Sequence, residues 1–209
     1  LDNGKTIQTD IVIFCTGRIP NTKSLTLDRL GVKCTSNGAV IVDSHMRTSI
    51  PNIFSIGDVT DIFQLTPVAI KEGAVLASNL FNKTNMKVDY SNIPTAVFSQ
   101  PEIGSVGLTE KEALNIYKRI YVYKTKFKPM YYSLSSDGSK TMMKLIVDQD
   151  TDKILGCHIV GDDAAEIIQI MAIVLKKEVT KDEMDNTMAL HPTMSEELVT
   201  MKDRIAVEL

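Results

Sequence analysis

Short apolar runs closed by turn residues mark the first 90 residues of the chain. The three runs are residues 11–14, 39–42 and 53–56. Runs of this length, bounded by Gly, Pro or Asn, are typical of buried strands. Thr66 and Pro67 then have the residue types of a helix start, an N-cap followed by proline at the first helical position, and the predicted helix continues to about Phe81. This part of the chain is therefore predicted to combine strands with one long helix.

From Pro94 onward the chain alternates predicted strands with predicted helices. Strands are expected at residues 120–127, 142–147 and 154–160, and helices after Thr109, over residues 162–179 and from Thr193 onward. The polar turn at residues 148–152 joins the second and third of these strands, which predicts an antiparallel meander. The stretch 91–94 is a candidate boundary. We therefore predict an α+β fold in two domains, residues 1–91 and 92–209.

The helix predicted at residues 162–179 is apolar around its whole circumference at its centre. Acidic residues at its start, and Lys176 and Lys177 near its end, interact favourably with the helix dipole. A helix that is apolar all round has to be buried on more than one face. A subunit contact would cover the second face, and a deep core position would do so equally well.

Composition and charge describe an ordinary globular protein. Of 209 residues, 44% are apolar and 23% are charged, and 23 basic against 26 acidic residues give a net charge of −3. The basic residues are scattered along the chain, so nucleic acid is not an expected partner. The uninterrupted apolar run of the central helix, residues 170–175, is far shorter than the roughly 20 residues of a membrane-spanning helix. No membrane span is expected.

The cysteines indicate the redox environment. Cys15, Cys34 and Cys157 are odd in number and widely spaced, with no C-x-x-C pair. This pattern predicts neither a disulfide framework nor a zinc site. A reducing intracellular compartment, the cytoplasm, is therefore the expected location.

Asp58 is a candidate ligand-binding carboxylate. It follows Gly57 at the end of a predicted strand, and the helix at Thr66 begins eight residues later. Loops at the carboxyl ends of strands form the binding crevice of open α/β sheets. Asp58 is thus placed to accept hydrogen bonds from a sugar or ribityl hydroxyl, and the positive helix end to stabilise negative charge on a cofactor ring. The alternative is that Asp58 only makes a turn.

His191 is the candidate catalytic residue. Because a residue before proline avoids the α region, His191 should lie on the loop that enters a helix starting near Thr193. Glu196 is near enough in sequence to hold the imidazole ring and to favour its protonated form, as expected of a general acid for a leaving thiolate or alkoxide. The alternative is that Thr193 and Glu196 form a capping box, which would give Glu196 a structural role.

Other polar residues have ordinary structural explanations. His158 alternates with the residues of a half-buried strand, and His45 lies in a turn-like stretch. Asp148, Asp150 and Asp152 alternate like calcium ligands but lack the Gly and the distal Glu of an EF-hand loop, so a solvated turn is expected. No metal site is predicted.

Four ordered motifs resemble the flavoprotein disulfide reductases, and among them the glutathione reductases. They are TGRIPN at 16–21, IFSIGDV at 53–59, LTPVA at 65–69, and HPT with EELVT within 191–200. Together they extend over essentially the whole chain in the family's order. Asn186, Thr187 and Leu190 before His191 are more similar to glutathione reductase than to dihydrolipoamide dehydrogenase.

The resemblance implies that this chain corresponds to the carboxyl-terminal half of such an enzyme. Residues up to about 17 would end the NADPH domain, residues 18–91 would complete the FAD site, and the rest would form the interface domain of a homodimer. The residues expected at FAD are Gly57, Asp58, Leu65 and Thr66. His191, with Glu196 as its partner, would protonate the glutathione thiolate in the active site of the other subunit. The residues expected to line the glutathione disulfide groove are Met130, Tyr131, Glu197 and Thr200.

Two features qualify what the resemblance implies. Ala74 occupies a position where several glutathione reductases carry an Arg that pairs with a substrate carboxylate, so a trypanothione-like or other small disulfide is an alternative substrate. The glycine-rich FAD loop, the C-x-x-x-x-C redox pair and the NADPH site of the family are not in these residues. We therefore expect the isolated chain to bind FAD weakly or not at all, and a non-catalytic dimerisation module is the alternative of a different class.

Overall fold

The computed structural model describes residues 2–135 and 140–209. The chain divides into two compact units, one ending at Asp89 and one beginning at Tyr90. Each unit is described separately below.

Residues 2–89 of the first unit form turns and one α-helix, α1, at Thr66–Phe81. Short 3₁₀ turns form at Lys23–Leu25 and Gly57–Thr60. Helix α1 has the predicted bounds, but its N-cap is Leu65 rather than Thr66, and no side chain caps it. Its buried face carries Val68, Glu72 and Val75.

The three strands predicted in the first unit are wrong. Residues 11–14 form no strand, and their side chains are 66% to 83% exposed. In the other two runs only isolated antiparallel bridges form, between Cys34 and Val40 and between Arg47 and Phe54. An apolar run becomes a strand only where a neighbouring backbone takes up its hydrogen bonds, and within residues 2–89 no element pairs with residues 11–14.

The described residues of the second unit, 90–135 and 140–209, form a six-stranded antiparallel sheet and four helices. In sheet order the strands are β1 (Thr95–Val97), β2 (Ile103–Gly107), β5 (Ile154–Val160), β4 (Thr141–Asp148), β3 (Arg119–Phe127) and β6 (Arg204–Glu208). The helices are α2 (Glu110–Tyr117), α3 (Ala164–Lys176), α4 (Lys181–Asp185) and α5 (Glu196–Thr200), with a 3₁₀ turn at Met130–Tyr132. The α+β class and the β3–β4–β5 meander are confirmed. Strand β6 was not predicted from the sequence.

Helices α3 and α2 are associated with separate apolar clusters of the unit. The larger cluster combines Met143 and Leu145 of β4 with Ile168 and Met171 of α3. The smaller one combines Ala113 of α2 with Ile146 and other strand residues. A capping box starts α2, with Thr109 and Glu112 exchanging both hydrogen bonds, in agreement with the helix predicted after Thr109. Side chains alternate across the pleat, so β4 contributes to both clusters.

Helix α3 is shorter than predicted and is covered on one side only. It begins at Ala164 and ends at Lys176. Ile168 and Leu175 are buried, whereas Ile170 and Ile173 are 61% and 55% exposed. Within this chain the helix therefore does not take the deep core position, and it presents an apolar face outward.

No helix among residues 2–135 and 140–209 combines the length and the apolar character needed to cross a bilayer.

Candidate active site and cofactor cleft

His191 lies on the loop between α4 and α5, as predicted, and its side chain is 67% exposed. Its Nδ1 atom is 3.0 Å and 3.1 Å from the two carboxylate oxygens of Glu196. Glu196 is the first residue of α5, and its side chain is only 19% exposed. A mostly enclosed carboxylate thus holds one nitrogen of an exposed imidazole.

Glu196 takes part in helix capping through its backbone and contacts His191 through its side chain. The Glu196 N–H donates to the hydroxyl of Thr193 at 3.2 Å, which is half of a capping box. That hydroxyl donates in turn to the carbonyl oxygen of Leu190 at 2.8 Å. The Glu196 carboxylate, however, is directed at His191. Helix α5 also starts at Glu196, three residues later than predicted, with Ser195 as its N-cap.

This geometry determines what the imidazole can do. A carboxylate only accepts hydrogen bonds, so the bond to Glu196 places a proton on Nδ1 of His191. The second nitrogen, Nε2, then carries a proton in the charged ring and is free to give it away. An exposed ring with one nitrogen fixed is the arrangement of a general acid.

Two predicted substrate residues lie beside the His191 loop. Met130 and Tyr131 border a cleft of about 280 Å³ whose other wall includes Pro192 and Thr193. Both side chains are exposed. The structure thus brings the 3₁₀ turn after β3 and the segment next to His191 together.

Glu197 and Thr200 do not line this cleft. Both lie on α5, where Glu197 is half-buried and Thr200 is exposed. The Thr200 hydroxyl donates to the backbone carbonyl oxygen of Glu196 at 3.0 Å. Their predicted contact with substrate therefore stays a prediction.

Tyr132 and Asp162 line the same cleft and were missed by sequence reasoning. The Tyr132 hydroxyl donates to the Asp162 carboxylate at 2.5 Å, and this bond raises the pKa of Tyr132 above its usual value. The two residues are 30 positions apart, so no local spacing pattern could have paired them.

Asp58 lines a second cleft, in the first unit. The cleft has a volume of about 410 Å³ and is lined by residues 18–21, Asp58, Val59 and Gln64. Two of the four sequence motifs therefore meet at one surface. Asp58 is exposed and belongs to the 3₁₀ turn Gly57–Thr60, so the turn and the binding interpretations are compatible.

Gly57 has a backbone conformation that residues with a side chain rarely adopt. Its φ is +71°, and a Cβ atom there would lie 3.1 Å from the Cβ of Ala69. Its N–H donates to the buried carboxylate of Glu72 at 2.6 Å. Because Glu72 belongs to α1, this bond joins the Asp58 turn to that helix. Helix α1 starts at Thr66, and Leu65 is its N-cap. Leu65 and Thr66 are not among the residues that line the cleft.

The remaining candidates are structural in the described part of the chain. Asp148 was expected in a solvated turn but is buried. Its carboxylate accepts hydrogen bonds from the backbone N–H and the hydroxyl of Thr151. Burial raises the pKa of the Cys157 thiol to about 12. Residues 2–135 and 140–209 contain no group of three or more His, Cys, Asp or Glu side chains arranged to hold a metal ion.

Comparisons with known proteins agree with these motifs. Residues 93–202 match the pyridine nucleotide-disulphide oxidoreductase dimerisation domain, and residues 1–73 match the pyridine nucleotide-disulphide oxidoreductase domain. The chain is 44% identical over 204 residues to a glutathione reductase of Burkholderia cepacia, covering 98% of this chain and 45% of that protein. It is 41% identical over 202 residues to a trypanothione reductase of Trypanosoma congolense, covering 96% of this chain and 41% of that protein.

A third relative and a solved structure extend the comparison. The chloroplastic/mitochondrial glutathione reductase of Pisum sativum is 48% identical over 191 residues, covering 91% of this chain and 35% of that protein. The HOCl-induced flavoprotein disulfide reductase RclA from Escherichia coli matches with a TM-score of 0.81 at 28% identity, covering 90% of this chain and 43% of that one. The chain spans less than half the length of these curated relatives. Because the dimerisation-domain match alone includes more than half of the residues, the chain belongs to the pyridine nucleotide-disulphide oxidoreductase family.

Proposed function

We propose that this chain is part of an NADPH-dependent, FAD-containing reductase that converts glutathione disulfide to two molecules of glutathione. The observation that carries the proposal is the exposed His191 ring held at Nδ1 by the Glu196 carboxylate. Relatives named glutathione reductase cover nearly the whole chain and support the choice of reaction. In this proposal residues 1–91 complete the cofactor-binding part and residues 92–209 form the interface domain.

The proposed step at His191 is a proton transfer to sulfur. Reduction of a disulfide adds two electrons and two protons, and each S–S cleavage releases a thiolate. His191 gives the proton on Nε2 to the departing glutathione sulfur, and Glu196 stabilises the charged ring through Nδ1 before the transfer. Met130 and Tyr131 would hold the peptide arm of the substrate in the neighbouring cleft, and Glu197 and Thr200 would contact it from α5.

The first unit fits a flavin cofactor at the Asp58 cleft. FAD, when bound, would carry the reducing electrons from NADPH toward the disulfide. Asp58 has an exposed carboxylate that can accept hydrogen bonds from ribityl hydroxyls. Gly57 lets the backbone turn without a side chain, and the first N–H groups of α1, near Leu65 and Thr66, lack a side-chain cap. These N–H groups would face the electron-rich edge of the flavin ring.

A homodimer is part of the proposal because His191 would act on substrate bound to the other subunit. The outward apolar face of α3, with Ile170 and Ile173, is the surface expected to pack against the second copy. Helix α3 lies within the region that matches the dimerisation domain. The cytoplasmic location stays a prediction, and the pea relative is a chloroplastic/mitochondrial protein.

A second substrate is favoured by one observation. Ala74 stands where several glutathione reductases carry an Arg, and a relative named trypanothione reductase is 41% identical. Loss of that guanidinium would weaken binding of a substrate whose carboxylate pairs with it. A disulfide with fewer carboxylates would be weakened less. Comparing kcat/KM for glutathione disulfide with that for a polyamine-conjugated disulfide decides between the two substrates.

The general-acid assignment is tested with His191→Ala in the full-length flavoprotein. We expect disulfide turnover to fall by about 10²- to 10⁴-fold, the usual contribution of a positioned general acid, while flavin reduction by NADPH stays unchanged. Glu196→Gln should slow disulfide turnover less than His191→Ala does, because Glu196 orients the ring and does not itself supply the proton. Stopped-flow absorbance separates the two half-reactions. The exposed Glu208→Gln on β6 is the matched control. Normal disulfide reduction by His191→Ala would contradict the assignment and favour a non-catalytic module.

A further inference from the structure

Lys181, the first residue of α4, carries an ammonium group that the second unit encloses almost completely. The residue is 2% exposed. Its Nζ atom donates to the Asp185 carboxylate and, at 2.9 Å, to the carbonyl oxygen of Met201. It also lies 4.6 Å from the centroid of the Tyr123 ring. These partners belong to three places in the fold, namely α4 itself, the C-cap of α5 and strand β3.

The bond from Lys181 to Met201 closes a loop of the chain that contains the candidate active site. His191 lies halfway along this loop. The start of the loop is also fixed, since the Lys181 and Asp182 N–H groups donate to the backbone and side-chain oxygens of Asp152, each at 2.8 Å. One cation therefore joins both ends of the His191 segment to each other and to the sheet.

Apolar packing reaches α5 through three side chains, namely Leu198, the half-buried Val199 and the buried C-cap Met201. The helix has five residues, of which Leu198 is the buried one. Apolar contacts are non-directional, so by themselves they select no single placement of so short a helix. A buried ammonium tolerates a shift of the helix poorly, because moving away from its partners would leave its charge desolvated and unpaired. A buried ion pair that adds little net stability can still select one geometry.

We propose that Lys181 is a positioning residue that sets the placement of the His191–Glu196 pair by holding the end of α5 against α4 and β3. This inference rests on the proposed function of His191. It assigns Lys181 no contact with substrate or cofactor. Its expected effect is on the acid-assisted step alone.

The test uses Lys181→Met in the full-length flavoprotein. Met retains the apolar length of the side chain, and Asp185 keeps Lys202 as its partner, so the fold is expected to persist. Flavin reduction by NADPH should be unchanged, and reduction of glutathione disulfide should slow by about 10- to 100-fold, as for a reacting group misplaced by about 1 Å. A disulfide with an aromatic, acidic thiol as leaving group should be slowed much less, since its thiolate departs without a proton.

Lys202→Met is the matched control. Lys202 pairs with the other oxygen of the same Asp185 at 2.9 Å, but its side chain is 62% exposed. It bonds to neither Met201 nor Tyr123 in the contacts described above. We expect Lys202→Met to reduce both disulfides at the parent rate.

A double variant separates this inference from the proposed function. If Lys181 acts through His191, then Lys181→Met adds no further loss in the His191→Ala background. Equal slowing of both disulfides by Lys181→Met, or losses that multiply in the double variant, would overturn the positioning role while leaving the proposed function intact. If His191→Ala alone has no effect, the general-acid role of His191 on which this inference rests fails. Should Lys181→Met not fold, Tyr123→Leu removes the ring contact to Lys181, together with the 3.5 Å bond from Arg204 to the Tyr123 hydroxyl. This variant must also slow glutathione disulfide more than the aromatic disulfide, or the inference is wrong.

Discussion

His191 and His158 show how the surroundings of a side chain decide its use. The exposed His191 ring has one nitrogen held by a carboxylate, which leaves the other available to a substrate. His158 on β5 has both nitrogens occupied, Nδ1 by the Ser105 hydroxyl at 2.6 Å and Nε2 by the carbonyl oxygen of Leu108 at 3.0 Å. A carbonyl only accepts, so Nε2 donates and Nδ1 accepts from Ser105. His158 therefore has a structural role, as predicted.

His158 gives a prediction on the pH dependence of stability. Burial lowers its pKa below 6.5, with Lys144 acting in the same direction and the Leu108 carbonyl, Glu110 and Glu112 acting against it. The unfolded chain thus binds this proton more readily than the folded chain. The neutral His158 ring therefore contributes to the free energy of unfolding. This contribution is fully present above pH 6.5 and is lost as the pH falls toward the lower pKa of the folded state.

Urea unfolding at pH 7.5 and pH 5.5 measures this effect. His158→Gln removes the titrating group, so its free energy of unfolding should fall less between the two pH values than that of the parent chain. An equal fall in both proteins would show that other groups cause the pH dependence.

At the scale of elements, the contact between α3 and β2 depends on a glycine. A Cβ atom on Gly104 of β2 would lie 2.5 Å from both the Ala164 carbonyl oxygen and a side-chain carbon of Ile168. The backbone of β2 at Gly104 thus lies closer to α3 than a residue with a Cβ atom would allow. This contact positions α3, and with it the outward face that carries Ile170.

Gly104→Ala is expected to lower the free energy of unfolding by about 1 to 3 kcal/mol, because helix and strand have to separate. Gly73→Ala in α1 is the matched control. Its added Cβ would lie 3.4 Å from Ile56, an ordinary contact, and alanine favours a helix interior by up to about 1 kcal/mol. Thermal or urea unfolding should show the first variant destabilised and the second unchanged or more stable. The reverse order would refute the packing argument.

At the scale of the whole molecule, the outward face of α3 is expected to form the dimer contact. Ile170→Lys places a charge in the centre of this face, so the equilibrium should shift to monomer. Ile116 on α2 is 62% exposed, close to the 61% of Ile170, and Ile116→Lys is therefore the matched control.

Sedimentation velocity of the two variants gives the assembly state directly. We expect monomer for Ile170→Lys and dimer for Ile116→Lys. A dimeric Ile170→Lys protein would place the interface elsewhere on the chain. In the full-length enzyme the monomer should also lose disulfide reduction, since His191 would no longer reach the other subunit.

Local sequence determined the elements whose signals are contained within a few residues. The residue types at the starts of α1 and α2, and the strand-like runs of β3, β4 and β5 with the polar turn between β4 and β5, indicated the approximate positions of these elements. Helix starts, strand runs and turns depend on neighbours in the chain. The His191–Glu196 pair was predicted for the same reason, since its members are five positions apart in the chain.

Tertiary structure decided everything that depends on distant residues. The apolar residues 11–14 form no strand, because strand pairing needs a neighbouring backbone that no local pattern specifies. The meeting of Tyr132 with Asp162, and of Lys181 with Met201 and Tyr123, follows from chain topology. Sequence alone would place Lys181 on the surface, as for most lysines. Only the fold encloses it, because its charge finds its partners there on separate elements.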